Sequence, residues 1–268
     1  MPTSSPSPAP AEVVRWIERV LRAPVRFGRP FGGGIAATVI PVQAGGRRLV
    51  LKLPYSGPAE PDPARTEARC LEIAHRAGLP VPELVAVRRE ALLMTRLPGR
   101  HRLRPRGEWR TFVRTLLGLL DPIHAVDVAN ERLPSYTPYP ASDRGTVEPN
   151  TWERLLEALS QPEPEGGPRV FIHRDFHQAN VLWAGGRVSG IVDWLHGCVG
   201  TPWADLAHLR WNLFDLIGME AADFAVTEFR RRRPELPPYD PYWDVATGMS
   251  IGAGRRRDRF LELAADRL

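Results

Sequence analysis

One segment, residues 172–193, limits the folds open to this chain more than any other. It begins with a polar loop, HRDFHQAN at residues 173–180, and continues through two short apolar runs separated by the turn Ala-Gly-Gly-Arg at 184–187. A glycine pair between two apolar runs is typical of a hairpin. The segment therefore predicts two antiparallel strands, 180–183 and 188–192, with a polar loop before them and Asp193 immediately after.

The same segment places oxygen-bearing side chains at the open end of the predicted hairpin. Its register sets Asn180 roughly opposite Asp193, and opposed residues in such a ladder lie about 4.5–5.5 Å apart. Two hard oxygen ligands suit Mg²⁺, and Asp175 adds a carboxylate that can accept a proton from a hydroxyl. The loop fits H-R-D-x-x-x-x-N, so the pattern indicates phosphoryl transfer from a metal–nucleotide complex. The alternative is an ordinary loop followed by a buried strand pair.

The basic residues give a second and independent indication. The chain has 36 Lys plus Arg, and Lys52 is the only lysine among them. Exchange of lysine for arginine costs little at exposed sites, but it is not neutral where a compact charge meets a phosphate. Lys52 ends a strand-like run, 48–52, that follows the glycine-rich segment Phe31-Gly32-Gly33-Gly34. We therefore expect Lys52 to contact a phosphate; the alternative is the chance survival of one lysine.

Glu67 is the expected partner of Lys52. Helical spacing predicts a helix from about residue 64 to 77, ended by Gly78, and Glu67 shares its apolar face with Cys70 and Leu71. A carboxylate on an apolar face is unfavourable unless it is paired. The alternative is a partly exposed glutamate.

Size, charge and cysteine content narrow the functional classes. A chain of 268 residues can form one or two domains, and no apolar run reaches the length of a membrane span. Residues 1–10 predict a disordered tail without signal-peptide character. Two cysteines without metal-ligand spacing are typical of a reducing cytoplasm. The arginine runs 230–233 and 255–257 have no interleaved aromatic residues, so we expect no nucleic-acid binding.

Periodicity and turn signals predict the remaining elements. A break at Thr95 to Gly99 marks a domain boundary, and residues 128–150 form a long connection of a length often found in binding loops. The predicted helices are 11–22, 64–77, 109–124, 152–159 and 201–216, and the predicted N-terminal strands are 38–42, 48–52, 81–87 and 91–94.

These segments together resemble the aminoglycoside phosphotransferase family, the small-molecule branch of the protein-kinase-like fold that also includes choline-kinase-like enzymes. The resemblance extends from Phe31 to the helix after Asp205. The segments that carry it are Val50 to Lys52, Glu67, Gly78 to Pro82, Leu93 to Gly99, Ile172 to Leu182, Ile191 to Trp194 and Gly200 to Leu206.

The resemblance implies an α+β, two-lobed, protein-kinase-like fold. After the tail, a small N-terminal nucleotide-binding lobe, 11–97, would contain an antiparallel sheet with one helix. A larger, mainly helical lobe, 98–268, would hold the catalytic and substrate-binding residues. The implied activity is transfer of the γ-phosphoryl group of ATP or GTP, with Mg²⁺, to a hydroxyl of a small acceptor.

The resemblance also implies roles for particular residues. Asp175 would be the catalytic base, with Asn180 and Asp193 holding Mg²⁺. Lys52 would contact the phosphates with Glu67 fixing its position, and Gly32, Gly33 and Gly34 would cover them. The backbone of Met94 to Arg96 would read the purine edge. Asp205 would brace the catalytic loop, His173 would orient it, and His177 is expected to be an ordinary loop histidine.

Several features separate this chain from its expected relatives. Many members of the family carry glycine at the position of Arg174, and the stretch 32–34 lacks the spaced glycines of protein kinases. No Ala-Pro-Glu segment follows Asp193, which argues against protein substrates.

A catalytically silent nucleotide-binding regulator is the alternative function, from another class of protein. The acceptor is left open; residues that could line its pocket, with core packing as the alternative, are Tyr136, Tyr139, Tyr239, Tyr242, Asp240 and Asp244.

Overall fold

The computed structural model describes residues 9–32, 37–55 and 62–268. Its elements, in chain order, are α1 (Ala11–Leu21), β1 (Arg26–Phe27), β2 (Ala37–Ala44), β3 (Arg47–Pro54), α2 (Pro63–Arg76), β4 (Leu84–Arg88), β5 (Ala91–Thr95), β6 (Arg100–His101), α3 (Trp109–His124), α4 (Pro149–Ser160), β7 (Val170–Ile172), a 3₁₀ turn (Gln178–Asn180), β8 (Val181–Ala184), β9 (Arg187–Ile191), β10 (Cys198–Gly200), α5 (Pro202–Leu216), α6 (Met219–Arg232), α7 (Tyr242–Ser250) and α8 (Arg255–Ala265). The α+β class expected from the sequence is confirmed.

The chain divides into two compact units. The first contains residues 1–100 and 182–196, and the second contains 101–181 and 197–268. The chain first passes from the first unit to the second after residue 100, whereas the expected boundary lies between residues 97 and 98. Residues 182–196, which the resemblance implied to be part of the second lobe, instead group with the first unit.

Two hydrogen bonds explain why the β8–β9 hairpin groups with the first unit. Ile191 N donates to Pro80 O at 2.8 Å, and Ser189 Oγ donates to Pro98 O at 2.6 Å. These bonds satisfy polar groups of the hairpin with partners more than ninety positions earlier in the chain. Sequence pattern predicts the hairpin itself but does not report which unit will receive it.

The first unit is built on an antiparallel sheet in the order β1-β2-β3-β5-β4. The apolar face of α1 packs on it through Val13 and Ile17, which are buried with Ile40, Leu51 and Leu93. Among its described residues, the unit contains two helices, α1 and α2, where the resemblance implied one. Helix α1 packs on the sheet because its periodic apolar residues cover sheet surface that water would otherwise contact.

Helix α2 has clear start and stop signals. The Asp62 side chain accepts a hydrogen bond from Arg65 N at 3.3 Å, and Pro63 occupies the first turn, where its missing N–H is not needed. The helix ends at Arg76, followed by Gly78 with φ of +77°. Its buried face includes Glu67, as the spacing predicted.

The second unit is mainly helical. Helices α5, α6 and α7 pack together, and the short strands β7 and β10 form an antiparallel pair. The Thr201 side chain caps α5 by accepting from Trp203 N at 3.3 Å. Helix α5 is buried on nearly every side, so it is an internal element of this unit. Within the described residues, no helix is both long and apolar enough to cross a membrane.

Candidate active site

Lys52 and Glu67 form a buried ion pair in the first unit. Strand β3 carries Lys52 and α2 carries Glu67, and Lys52 Nζ lies 2.9 Å from Glu67 Oε1 and 2.7 Å from Oε2. The exposed fractions of the two side chains are 7% and 2%. The pairing that the sequence favoured is confirmed.

Asp193 is the second partner of Lys52. Its Oδ1 lies 2.6 Å from Lys52 Nζ, and its side chain is 36% exposed. Burial alone would lower the pKa of Lys52, but the carboxylates of Glu67 and Asp193 outweigh it and raise that pKa above its usual value. Asp193 has φ of +67°, a left-handed conformation that is strained for a residue with a Cβ.

Asp205 braces the catalytic-looking loop in the second unit. The carboxylate is fully buried at the start of α5 and accepts from His173 N at 3.0 Å and Arg174 N at 2.6 Å. His124 Nε2, from α3, lies 2.9 Å from Asp205 Oδ2. One side chain thus satisfies two backbone donors of the loop and one buried imidazole, in agreement with the bracing role expected for it.

Asp175 is surrounded by hydrogen-bond donors. His208 Nε2 lies 2.9 Å from its Oδ1, and His177 Nε2 lies 3.6 Å from the same atom. Asn180 Nδ2 donates to Asp175 Oδ2 at 3.0 Å and to its backbone oxygen at 2.9 Å. Burial would raise the pKa of Asp175, but the neighbouring imidazoles of His177 and His208 outweigh it and hold that pKa well below its usual value. Asp175 is therefore ionised at neutral pH.

Sequence reasoning missed His208. His208 lies three positions after Asp205 on α5, so the two side chains are neighbours on one helix face. That spacing from a residue already expected to brace the loop was the available signal. The ring of His177, which the sequence predicts to be an ordinary loop histidine, lies beside Asp175 and stacks on the ring of His208, whose centroid is 5.6 Å away.

Arg174 joins the loop to the long connection before α4. Its backbone has φ of +65°, and its guanidinium lies 3.8 Å from the ring centroid of Tyr139 and 5.2 Å from that of Tyr136. A terminal nitrogen of Arg174 also donates to Thr137 O. Arginine stacks on aromatic faces in this way more readily than lysine does. The side chain therefore holds residues 136–139 beside the loop.

The other residues expected to bind the nucleotide are the glycines 32–34 and the backbone of residues 94–96. Gly32 is exposed with open space around it, whereas Gly33 and Gly34 lie outside the described residues. Met94 is buried in β5, and the next two N–H groups are already used, since Thr95 N donates to Glu83 O and Arg96 N donates to Arg48 O. A purine edge read in this region would therefore meet backbone oxygens or the N–H groups after Arg96.

Two of the acceptor-pocket candidates belong to a buried network. Arg210 Nε and Nη2 each lie 2.9 Å from an oxygen of Asp244, and Tyr239 donates to Asp244 Oδ1 at 2.6 Å. Arg210 and Asp244 are almost completely buried. This two-pronged geometry pairs the charges of Arg210 and Asp244 with each other, and the same two side chains also line a cavity together with Tyr239. Asp240 accepts from Tyr242 N at 2.8 Å, which is a local turn contact.

The oxygen donors expected for Mg²⁺ fit that ion chemically. Asn180 uses its amide nitrogen toward Asp175, and its oxygen is the atom left for a cation. Asp193 directs Oδ1 to Lys52, which leaves Oδ2. An amide and a carboxylate oxygen are hard ligands of the kind Mg²⁺ prefers.

Comparison with solved structures defines the class of fold. The chain resembles the aminoglycoside phosphotransferase APH(4)-Ia with a TM-score of 0.67 at 18% identity, covering 96% of this chain and 98% of that one. It resembles a macrolide 2'-phosphotransferase from Brachybacterium faecium with a TM-score of 0.62 at 19% identity, covering 88% and 87%. The fold is therefore the protein-kinase-like fold of these proteins.

The sequence comparison is more specific. The family model described as "Phosphotransferase enzyme family" matches residues 28–242, and the chain belongs to that family. It is also 29% identical over 187 residues to a homoserine kinase of Pseudomonas aeruginosa, covering 63% of this chain and 55% of that protein. The chain thus spans about half the length of the curated relatives that it matches.

Proposed function

We propose that this protein is a small-molecule kinase that transfers the γ-phosphoryl group of ATP or GTP to a hydroxyl of its acceptor. The observation that carries the proposal is Asp175, held ionised by His177, His208 and Asn180 inside an H-R-D-x-x-x-x-N loop of a phosphotransferase-family chain. A carboxylate so placed is suited to receive the proton that the acceptor hydroxyl loses.

The proposed chemistry uses few groups. The acceptor oxygen forms a bond to the γ-phosphorus, the bond to the β-phosphate oxygen breaks, the nucleoside diphosphate leaves, and the hydroxyl proton passes to Asp175. Lys52, positioned by Glu67, contacts the nucleotide phosphates. Bound Mg²⁺, with oxygen ligands from Asn180 and Asp193, would neutralise phosphate charge. The protein contributes mainly positioning and electrostatics.

The relatives indicate the acceptor class. The Pseudomonas aeruginosa protein is named a homoserine kinase, and structures of APH(4)-Ia include ternary complexes with hygromycin B and ADP or AMP-PNP. Both names describe small hydroxyl-bearing molecules. We propose an acceptor of that class, with no role for nucleic acid or membrane, in a reducing cytoplasm suited to the unbridged Cys70 and Cys198.

A catalytically silent nucleotide-binding regulator is the alternative function. The chain retains Lys52, Asp175, Asn180 and Asp193, each with the contacts its proposed role needs. These four side chains favour the enzyme over the silent regulator.

The proposal is tested by incubating the protein with γ-³²P-labelled ATP or GTP, Mg²⁺ and a panel containing homoserine, hygromycin B, a macrolide, amino alcohols, sugars and nucleosides. We expect labelled product with at least one acceptor and none with Asp193→Ala. Nucleotide binding without transfer to any acceptor would favour the regulator instead.

A further inference from the structure

We propose that Asp175, His177 and His208 form a binding site for Zn²⁺, and that zinc bound there inhibits phosphoryl transfer. The metal site depends only on the positions and the chemistry of these three side chains. The inhibitory consequence rests on the function proposed above, so the two parts are tested separately.

The spacing of the three ligand atoms matches a zinc ion. One atom from each side chain lies within 4.8 Å of the others. Asp175 Oδ1 is 2.9 Å from His208 Nε2 and 3.6 Å from His177 Nε2. Tetrahedral zinc with bonds near 2.1 Å separates its ligand atoms by roughly 3.4 Å. These two distances lie on either side of that value, and the two histidine nitrogens lie within 4.8 Å of each other, so side-chain adjustments would bring the three atoms to zinc-binding distances.

The ligand types select zinc over the magnesium that the kinase reaction would use. Two imidazoles and one carboxylate suit Zn²⁺, whereas Mg²⁺ prefers an all-oxygen set. Three protein ligands leave one tetrahedral position for water, the arrangement of open zinc sites. The proposed magnesium ligands, Asn180 and Asp193, offer oxygen only. The two cations are therefore expected to bind different atoms.

The cluster is accessible to an ion. His208 lies within α5, and His177 is the N-cap residue of the 3₁₀ turn. The exposed fractions of His208 and His177 are 21% and 17%, which gives an ion a route to them. The pair His124–Asp205 is not expected to bind zinc, because both of its side chains are completely buried and it offers a single imidazole.

The two histidines contribute unequally. His177 Nδ1 accepts a hydrogen bond from Ala179 N at 3.2 Å, which places the ring proton on Nε2; that atom lies 3.3 Å from Asn180 Nδ2 and 3.6 Å from Asp175 Oδ1. Coordination through Nε2 moves that proton to Nδ1 and breaks the bond from Ala179. No such backbone bond to the His208 ring is found in the described residues. We therefore expect His208 to contribute more to zinc affinity than His177.

Zinc at this cluster would block the proposed reaction directly. The ion would occupy Asp175 Oδ1, an atom of the carboxylate assigned to receive the acceptor proton. A carboxylate coordinated to zinc is a much weaker base, so phosphoryl transfer should slow. A chelator that removes the zinc should reverse the inhibition. Raising the nucleotide concentration should not overcome it, because the zinc is bound to Asp175 and not to the residues proposed to hold the nucleotide.

The binding test uses untagged, full-length protein without nucleotide or magnesium, titrated with Zn²⁺ in competition with a fluorescent zinc indicator. We expect one zinc per chain, with affinity falling at least 100-fold in His208→Asn, less in His177→Asn, and unchanged in His75→Asn, whose ring is exposed on α2. Circular dichroism checks that each variant is folded. Equal affinity in the wild type and both cluster variants would overturn the metal site.

The inhibition test measures phosphoryl transfer against zinc concentration, with each variant compared with its own zinc-free rate. The zinc concentration giving half inhibition should rise at least 100-fold in His208→Asn, rise less in His177→Asn, and stay constant in His75→Asn. Zinc bound at the cluster without loss of transfer would overturn the regulatory part. Absence of transfer with every acceptor would count against the proposed function, while the binding result would still decide the metal site.

Discussion

Lys52 Nζ lies 2.6 Å from Asp193 Oδ1 although 141 positions separate the two residues in the chain. The same ammonium group is held by Glu67. Lys52 therefore links the two carboxylates to which the proposed reaction gives different roles. In that proposed reaction, Lys52 and Asp193 would also contact phosphate and metal, while Glu67 positions the lysine.

Replacing Lys52 by Met should affect both stability and activity. It leaves Glu67 as an unpaired buried carboxylate, which typically costs about 3–5 kcal/mol, and it removes the phosphate-contacting charge. The double variant Lys52→Met/Glu67→Leu should regain most of that stability and remain inactive, because a well-packed apolar pair tolerates burial. Urea denaturation and a phosphoryl-transfer assay measure the two effects. The control Arg48→Met removes an exposed charge from the same strand. If the double variant is active, Lys52 has no role in transfer.

Replacing Asp205 by Ala should destabilise the second unit. The substitution removes the acceptor for His124 Nε2 and for the backbone N–H groups of His173 and Arg174. Each unsatisfied buried donor costs about 1–3 kcal/mol, so we expect a loss of roughly 3 kcal/mol or more in the free energy of unfolding. Asp215→Ala, at a half-exposed position of the same helix, should change it by less than about 0.5 kcal/mol. A near-neutral Asp205→Ala would show that Asp205 does not brace the loop.

Replacing Arg174 by Gly should separate backbone strain from loop anchoring. Glycine adopts φ of +65° readily, so it relieves strain of about 1–2 kcal/mol. It also removes the contacts to Tyr136, Thr137 and Tyr139. We expect little change in thermal stability but faster amide hydrogen exchange at Tyr136, Thr137 and Tyr139. Arg174→Lys keeps the charge and should restore little of the protection, since it lacks the planar stacking group. Unchanged exchange in both variants would contradict the anchoring role.

The depressed pKa of Asp175 predicts a pH dependence of stability. Its pKa is lower in the folded than in the unfolded chain, so the ionised carboxylate contributes stability above the unfolded value of about 4. That contribution is lost as the pH falls through the folded pKa. The difference in unfolding free energy between wild type and Asp175→Asn should therefore narrow progressively below about pH 4. Urea denaturation in steps below that pH measures it, with Asp215→Asn as the exposed control; a difference that widens there would contradict the assignment.

Some of the site was predictable because local rules demand a particular partner. A glutamate on the apolar face of α2 needs a cation, and the single lysine at the end of a buried strand was the obvious one. The hairpin was predictable from a different local rule. Its tight turn needs residues with positive φ, and Gly185 and Gly186 both have positive φ in the structure.

Other features depend on contacts that no local pattern reports. His208 lies on α5, which is buried on nearly every side and so has no polar stripe to single out one residue. For Asp244 the sequence leaves both an acceptor pocket and core packing open, and Arg210, 34 positions earlier, contacts both of its oxygens in the structure. The assignment of residues 182–196 to the first unit likewise depends on bonds to Pro80 and Pro98. Each required tertiary structure.

The most direct test of the account is the rate of γ-phosphoryl transfer by Asp175→Asn, measured with the best acceptor found for the wild type. We predict that kcat falls by about 10²–10⁴-fold, the usual contribution of a general base, while the affinity for the magnesium–nucleotide complex stays within a few-fold of wild type. An Asp175→Asn enzyme that transfers phosphate at close to the wild-type rate would contradict the assignment of Asp175 as the proton acceptor.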